Sequence, residues 1–276
     1  MVVLMFALLT GIFGAIIGSF LTVVISRVPA GRSVVAPASA CGSCGHAVRG
    51  YDNIPIISWI VLRGRCRDCG GRVSVRYPLI ELGSAIFFGV VAARFAPTII
   101  AAEGVAEIAA GIVALVAFLY LAAVSLALAL IDIDVHRLPN VIVLPGYIVG
   151  LVLLGAASAL TGDWSALIRA AVGCLALGLL YLALAVARPG GMGFGDVKLA
   201  GVLGLFLGYL GWDALAVGAF LAFFLGGLFG LVLIIIRRGG RTTAIPFGPW
   251  MLAGAWLGIF IGKSVAAGYL SLFALA

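Results

Sequence analysis

The sequence predicts an all-α polytopic membrane protein with about eight transmembrane helices and one small polar domain after the first helix. Hydrophobic residues make up 64% of the 276 residues and charged residues only 10%, whereas about a quarter of the residues in a soluble globular domain are charged. Apolar stretches long enough to cross a bilayer core of about 30 Å recur along the whole chain, and the mean hydropathy is +1.28. One long polar segment, residues 27–76, interrupts them.

Eight apolar stretches are predicted as transmembrane helices. The first lacks the basic start and the small-residue cleavage pattern of a signal peptide, so we expect a permanent helix. We divide the chain into a first transmembrane helix over 1–26, a polar domain over 27–76 and a seven-helix membrane domain over 77–276. The predicted spans are 3–25, 77–95, 107–130, 141–160, 166–187, 195–211, 214–236 and 249–270.

The distribution of lysine and arginine predicts the orientation. With the N-terminus outside, all but three of the 17 basic residues lie in or next to the loops of one side, and such an excess marks the cytoplasmic side. The net charge of +7 then follows mostly from topology. Few aromatic residues alternate with the arginines, which argues against nucleic-acid binding, and we expect these arginines to lie against anionic lipid headgroups. The loops concerned are 27–76, 131–140, 188–194 and 237–248.

The polar domain carries two Cys-x-x-Cys pairs, Cys41 with Cys44 and Cys66 with Cys69, separated by 21 residues. Two pairs at this spacing supply four thiolates to a tetrahedral Zn²⁺. A segment of this size with little apolar core needs such a metal for stability, so we predict a structural Cys₄ zinc site in a zinc-ribbon-like domain. Disulfides are disfavoured because the cytoplasm is reducing. His46 is an alternative ligand.

Three aspartates lie where predicted helices meet the cytoplasm. Asp132 and Asp134 stand in the stretch LIDID at the end of the third span, and Asp196 stands in GFGD at the start of the sixth. Acidic residues at hydrocarbon depth are costly and generally mark function. Two carboxylates that face each other cannot both ionise cheaply, so one holds a proton and the other is a base. Such a pair activates water towards a peptide carbonyl and protonates the leaving amine.

Neighbouring residues of these motifs suggest further roles. Gly193 and Gly195 permit unusual backbone angles and the close approach of an extended substrate. Glu81, about one turn into the second span, either pairs with a loop arginine or caps a polar site, and the sequence does not decide between these roles.

Six motifs in a fixed order make the chain resemble one known family along nearly its whole length. The family is the type IV prepilin peptidases, also called prepilin leader peptidase/N-methyltransferases. The motifs are GSFLTVVISRVP at 18–29, the paired cysteines with YDNIPIISW between them, RYPLIEL after them, LIDIDVHRLPN, GMGFGDVKL, and IPFGPW at 245–250.

The resemblance implies a membrane aspartic endopeptidase whose catalytic pair is Asp132 and Asp196. It would remove the basic leader of prepilins and pseudopilins after a glycine, at the cytoplasmic face of the bacterial inner membrane. It would also methylate the new N-terminal residue with S-adenosylmethionine, and its products would serve type IV pili, type II secretion or DNA uptake. No glycine fingerprint identifies the residues that bind S-adenosylmethionine. The predicted auxiliary residues are Asp134, Gly193, Gly195 and Lys198.

Three alternatives stay open from the residues alone. The chain could be another GxGD intramembrane protease that carries out no methyl transfer. It could be a transporter or channel whose aspartates bind cations and whose cytoplasmic loop is held by zinc. It could also be a hydrolase that holds a divalent ion between Asp132 and Asp134.

Overall fold

The computed structural model describes residues 1–188, 192–236 and 246–273, and the regular structure within these ranges is helical. It comprises nine α-helices and one short 3₁₀ turn at Gly50–Asp52. The helices are α1 (Val2–Arg27), α2 (Ile57–Val61), α3 (Arg76–Ile100), α4 (Val105–Val135), α5 (Asn140–Thr161), α6 (Trp164–Ala187), α7 (Phe194–Leu210), α8 (Trp212–Ile235) and α9 (Gly248–Ser271).

The predicted all-α membrane fold is confirmed, with one difference in helix length. Seven of the described helices are long and apolar enough to cross a membrane, namely α1, α3, α4, α5, α6, α8 and α9. The remaining predicted span, 195–211, is the helix α7, which has 17 residues. At 1.5 Å per residue α7 is about 25 Å long, shorter than the roughly 30 Å apolar thickness of a bilayer.

The chain divides into two compact units. Unit 1 comprises Met1–Ala102 and Phe118–Ala127, and unit 2 comprises Glu103–Ala117 and Leu128–Ala276, so α4 contributes to both. Within unit 1, α1 packs along α3. A Cβ atom on Gly18 of α1 would lie only 2.8 Å from the Cα atom of Glu81, because small residues let two membrane helices approach closely.

In unit 2, α7 is the central helix. It packs against α5, α6, α8 and α9, and ten consecutive residues from Leu199 to Gly208 are buried. A helix that is buried on every side shows no apolar stripe, which explains why the sequence after Lys198 is apolar on all faces of α7. The contact with α6 depends on glycines, since a Cβ atom on Gly204 would collide with the backbone carbonyl of Gly173.

The polar domain joins α1 to α3 with little regular structure of its own. Two ion pairs connect its parts: Arg67 with Asp52, and Arg49 with Asp68 at 2.8 Å. The Arg67 side chain donates hydrogen bonds to both carboxylate oxygens of Asp52, and these bonds lower the pKa of Asp52. The arginine of each pair is 44% exposed, and ion pairs that water reaches contribute little stability, so the domain requires a further constraint.

Candidate active site

Asp132 lies in the last turn of α4, and its side chain is buried, with 5% of its surface exposed. Its Oδ2 atom accepts a hydrogen bond of 3.0 Å from the backbone N–H of Gly248, the first residue of α9. Free N–H groups at the start of a helix favour a negative charge beside them. The C-terminal end of α4 and the N-terminal end of α9 therefore meet at this carboxyl group.

Gly248 has no room for a side chain. A Cβ atom at this position would lie 2.7 Å from Oδ2 of Asp132 and 3.2 Å from Cδ2 of Leu138. The motif IPFGPW therefore contributes a backbone donor to the aspartate. The sequence does not predict this role for the motif, because nothing local links Gly248 to a residue 116 positions earlier.

Asp196 is the third residue of α7 and takes part in a reciprocal cap. Its Oδ2 atom accepts a hydrogen bond of 3.1 Å from the N–H of Gly193, while its own N–H donates to the carbonyl oxygen of Gly193 at 3.0 Å. This arrangement has the geometry of a capping box, in which the acidic residue satisfies the N–H of the capping residue. The capping box holds the half-buried carboxyl group of Asp196 at the N-terminal end of α7.

The structure brings the two predicted catalytic aspartates together. Asp132 accepts from the first residue of α9, and Asp196 lies in the first turn of α7. The Leu138 side chain lies against both helix starts: a Cβ atom on Gly195 would be 3.0 Å from its Cβ atom, and one on Gly248 would be 3.2 Å from its Cδ2 atom. The ends of α4, α7 and α9 thus converge around Leu138, a residue that the sequence motifs gave no reason to single out.

The remaining predicted auxiliary residues take other positions. Asp134 is exposed, and at about 100° per residue it points roughly 200° around α4 from Asp132. The Lys198 Nζ atom donates to Oδ1 of Asn140 at 3.0 Å, and the Tyr147 hydroxyl donates to the Lys198 carbonyl at 2.6 Å. Lys198 therefore ties the first turns of α7 to α5.

A divalent ion held between Asp132 and Asp134 is inconsistent with this helix geometry, because two side chains on opposite sides of one helix cannot ligate the same ion at about 2.0–2.6 Å. Among the residues that the structure describes, the group of acidic, histidine and cysteine side chains that could hold a metal is the set of four cysteines.

An aromatic cluster in unit 2, which the sequence motifs did not predict, lies at the start of α9. Tyr181 of α6 is 2% exposed, and its ring centroid lies 5.2 Å from that of Phe223 and 6.2 Å from that of Phe247. Because Phe247 directly precedes Gly248, this cluster lies beside the backbone donor to Asp132.

The four cysteines of unit 1 form a candidate zinc site. Their Sγ atoms all lie within 4.8 Å of one another, and those of Cys41 and Cys69 are 3.8 Å apart. Tetrahedral zinc with Zn–S bonds of about 2.3 Å requires S···S separations of about 3.8 Å, so the group fits. Hydrogen bonds from the N–H groups of Cys44 and Ser43 lower the pKa of the Cys41 thiol to about 6.

The two cysteine pairs have the same backbone geometry. Each lies in a tight loop closed by an isolated antiparallel bridge, Ala40 with Ala47 and Arg65 with Arg72. In each, the residue after the second cysteine is a glycine in the left-handed region, with φ of 74° at position 45 and 67° at position 70. Glycine adopts this conformation without steric cost, and the repeated pattern Cys-x-x-Cys-Gly is its sequence signal.

Two family models match the chain. The model described as the bacterial peptidase A24 N-terminal domain matches residues 12–95, and the model described as the type IV leader peptidase family matches residues 119–235. The first match contains the four cysteines, and the second contains both Asp132 and Asp196. No solved structure matches the chain significantly.

Several curated proteins named prepilin leader peptidase/N-methyltransferase are similar to the chain over nearly its whole length. The protein from Pseudomonas putida is 36% identical, over 97% of this chain and 94% of its own length. The protein from Aeromonas salmonicida is also 36% identical, over 94% of this chain and 92% of its own length. The protein from Pseudomonas aeruginosa is 33% identical, over 97% of this chain and 94% of its own length.

Proposed function

The chain belongs to the type IV leader peptidase family, and we propose that it removes the leader peptide of prepilins and pseudopilins and then N-methylates the new N-terminal residue. The single observation that carries the peptidase half is the meeting, around Leu138 in unit 2, of the helix ends that bear Asp132 and Asp196. The relatives' names support the methyl-transfer half, as does the match of the cysteine-bearing N-terminal domain.

The hydrogen bonds of the pair support a separate role for each oxygen. In each carboxyl group Oδ2 is occupied by a backbone N–H, that of Gly248 or that of Gly193. No hydrogen bond reaches either Oδ1 atom from the part of the chain that the structure describes. We assign the two Oδ1 atoms to the reacting water and the peptide bond, while the backbone donors hold the carboxyl groups in position.

Cleavage then follows the chemistry of an aspartic dyad. The ionised carboxylate takes a proton from water as the water oxygen attacks the carbonyl carbon of the peptide bond. The protonated carboxyl group polarises the carbonyl oxygen, and a proton passes to the leaving amine as the C–N bond breaks. The leader leaves with a new carboxylate, and the mature protein leaves with a new amine.

Three finer features belong to the same proposal. The cleaved bond follows a glycine, the site faces the cytoplasm, and the protein lies in the bacterial inner membrane with its N-terminus outside. The excess of basic residues in one set of loops supports this orientation. The methyl donor is S-adenosylmethionine, and Zn²⁺ on the four cysteines stabilises the polar domain.

The alternatives fit less well. A protease of the GxGD type without methyl transfer would not need the cysteine-bearing segment, which is present here and matches its own family model. A transporter would gather its carboxylates near the membrane midplane, whereas both aspartates here lie at helix ends.

We expect Asp132→Asn and Asp196→Asn each to reduce leader removal at least about a hundredfold, because each removes one partner of the acid–base pair. The measurement is cleavage of a purified prepilin by the purified, detergent-solubilised variant. Asp213→Asn, in the first turn of α8, is the matched control and should cleave at the wild-type rate. Normal cleavage by either dyad variant would overturn the assignment.

A further inference from the structure

The short helix α2 exposes an apolar face that the rest of unit 1 leaves uncovered. Ile57, Ile60 and Val61 stand at positions i, i+3 and i+4, which share one face of a helix, and 59%, 62% and 68% of their surfaces are exposed. Single exposed apolar residues are common, but a contiguous apolar patch marks a site of interaction with a membrane or another protein. This face of α2 therefore needs a partner.

The other side of α2 is anchored to the polar domain. The buried Ser58 hydroxyl donates a hydrogen bond of 3.0 Å to the carbonyl oxygen of Tyr51 and accepts one of 3.1 Å from the N–H of Ile54. The Trp59 Nε1–H group donates a hydrogen bond of 3.1 Å to the carbonyl oxygen of Val73. These bonds set the rotation of α2 about its axis and keep its apolar face turned outwards.

The start of α2 lies at the level of two membrane helices. The N–H of Ile56 donates a hydrogen bond of 2.7 Å to Oε2 of Glu81. Glu81 is five residues into α3, which places it about 7.5 Å along the helix axis from Arg76. It also lies against Gly18 of α1, and α1 continues for nine residues, about 14 Å, from Gly18 to Arg27. The start of α2 is therefore beside α1 and α3, and not beyond their ends.

This level suits a helix that lies in a membrane surface. Both α1 and α3 are long and apolar enough to cross a membrane. Interfacial helices bury their apolar face about 5–10 Å into the boundary between headgroups and acyl chains, and α2 begins at a comparable depth. Leu79 and Leu82, in the same turns of α3, are exposed as well, as is expected of a helix that lipid surrounds.

Two arginines follow α2 and lack an acidic partner within the polar domain. Arg63 and Arg65 are both exposed. The acidic residues of segment 27–76 are Asp52 and Asp68, and each is paired with a different arginine. Anionic lipid headgroups attract arginines placed near a membrane surface. A basic leader peptide, in contrast, would be repelled by them.

We propose that α2 is an interfacial helix whose apolar face lies among the acyl chains of the lipids, while Arg63 and Arg65 bind the phosphates of anionic headgroups. The surface concerned is the one at which α1 ends and α3 begins. A bilayer is favoured over a protein partner because Glu81 ties α2 to a membrane helix and because the two arginines complement an anionic surface. The proposal does not depend on the peptidase or the methyl-transfer activity.

The experiment replaces Ile60 of the full-length protein with the photoreactive amino acid p-benzoylphenylalanine. The purified protein is placed in nanodiscs of phosphatidylcholine and phosphatidylglycerol and irradiated, and mass spectrometry identifies the cross-linked products. Val35, an exposed residue of the same domain outside α2, is the matched control position. We expect at least about fivefold more lipid adducts at position 60, because its side chain lies among acyl chains and that at position 35 lies in water.

Ile57 is replaced in the same way, so that the result does not depend on one substitution, and bound zinc is measured to verify folding. Lipid adducts at positions 57 and 60 that exceed those at position 35 support the proposal. Equal or smaller yields at both α2 positions would overturn it. Cross-links to added purified prepilin in place of lipid, or to a second copy of the chain, would also overturn it by assigning this face to a protein.

The role of the arginines is tested by adding Arg63→Gln and Arg65→Gln to the protein labelled at position 60. We expect lipid adducts to fall at least about threefold in the anionic nanodiscs, because two attractive charges near the surface are lost. In nanodiscs of phosphatidylcholine alone the same change should have no effect. An unchanged yield in the anionic nanodiscs would overturn the assignment of these two arginines to anionic headgroups.

Discussion

Gly248 connects the last helix to Asp132 through one backbone hydrogen bond. The bond is 3.0 Å long, and the N–H group belongs to the first turn of α9, where no earlier helical carbonyl accepts it. The aspartate is therefore held by a donor whose position depends on the packing of another helix. A side chain added at position 248 would push the Asp132 carboxyl group out of this place.

We expect Gly248→Ala to reduce leader removal by roughly tenfold to a hundredfold, because displacement of a catalytic group by about 1 Å has an effect of this size. The assay is the rate of prepilin cleavage at saturating enzyme. Gly268→Ala, in the same helix but with open space around the added methyl group, should cleave at the wild-type rate. Equal rates for the two variants would show that the Asp132–Gly248 contact is not needed.

At the scale of the elements, α7 depends on small residues for its contacts. Gly204 meets the backbone of Gly173 and Cys174 in α6, and Gly208 meets the backbone of Arg169 and Ala170. Lipid gives no hydrophobic force that would draw two helices together, so close van der Waals packing has to supply the stability. The placement of Asp196 at the start of α7 follows from this packing.

We expect Gly204→Ala to destabilise the protein by about 1–3 kcal/mol, the usual effect of overpacking a close contact. The midpoint of thermal unfolding in detergent measures the effect, and it should fall. Gly227→Ala in α8 meets no atom within 4 Å and should leave the midpoint unchanged or raise it, because alanine favours a helix more than glycine does. A higher midpoint for Gly204→Ala would contradict the packing argument.

Much of this fold could be predicted from the sequence, because membrane helices follow from composition. The spacing of the four cysteines predicts a zinc site, and the motifs around positions 132 and 196 predict a catalytic pair of aspartates. The Gly248 donor could not be predicted, since it depends on a contact between helices far apart in sequence. Glu81 could not be assigned for the same reason, because its partner Ile56 lies in a segment without regular structure.

At the scale of the whole molecule, α7 decides on which side the chain ends. It connects α6 to α8, and a single residue, Gly211, separates α7 from α8. If α7 crosses the membrane, the eight crossings bring both termini to the same side. If it does not, seven crossings bring them to opposite sides.

We expect both termini to lie outside, because this arrangement leaves the basic loops in the cytoplasm. Alkaline phosphatase, which needs the disulfide-forming exterior to become active, should be active when fused after residue 276 and inactive when fused within residues 137–139. Both fusions should be made in the same strain and normalised to their protein levels. An inactive C-terminal fusion that is stably produced would contradict eight crossings.

The burial of α7 on every side has a consequence for the environment in which the protein works. Hydrocarbon thickness differs by a few ångströms among membranes, and helices that face lipid adjust to it by tilting or kinking. The middle of α7 faces other helices, so its 17 residues need not match the length of the acyl chains. The neighbouring helices therefore determine the depth of Asp196 in the membrane, and a change in lipid composition should not alter that depth.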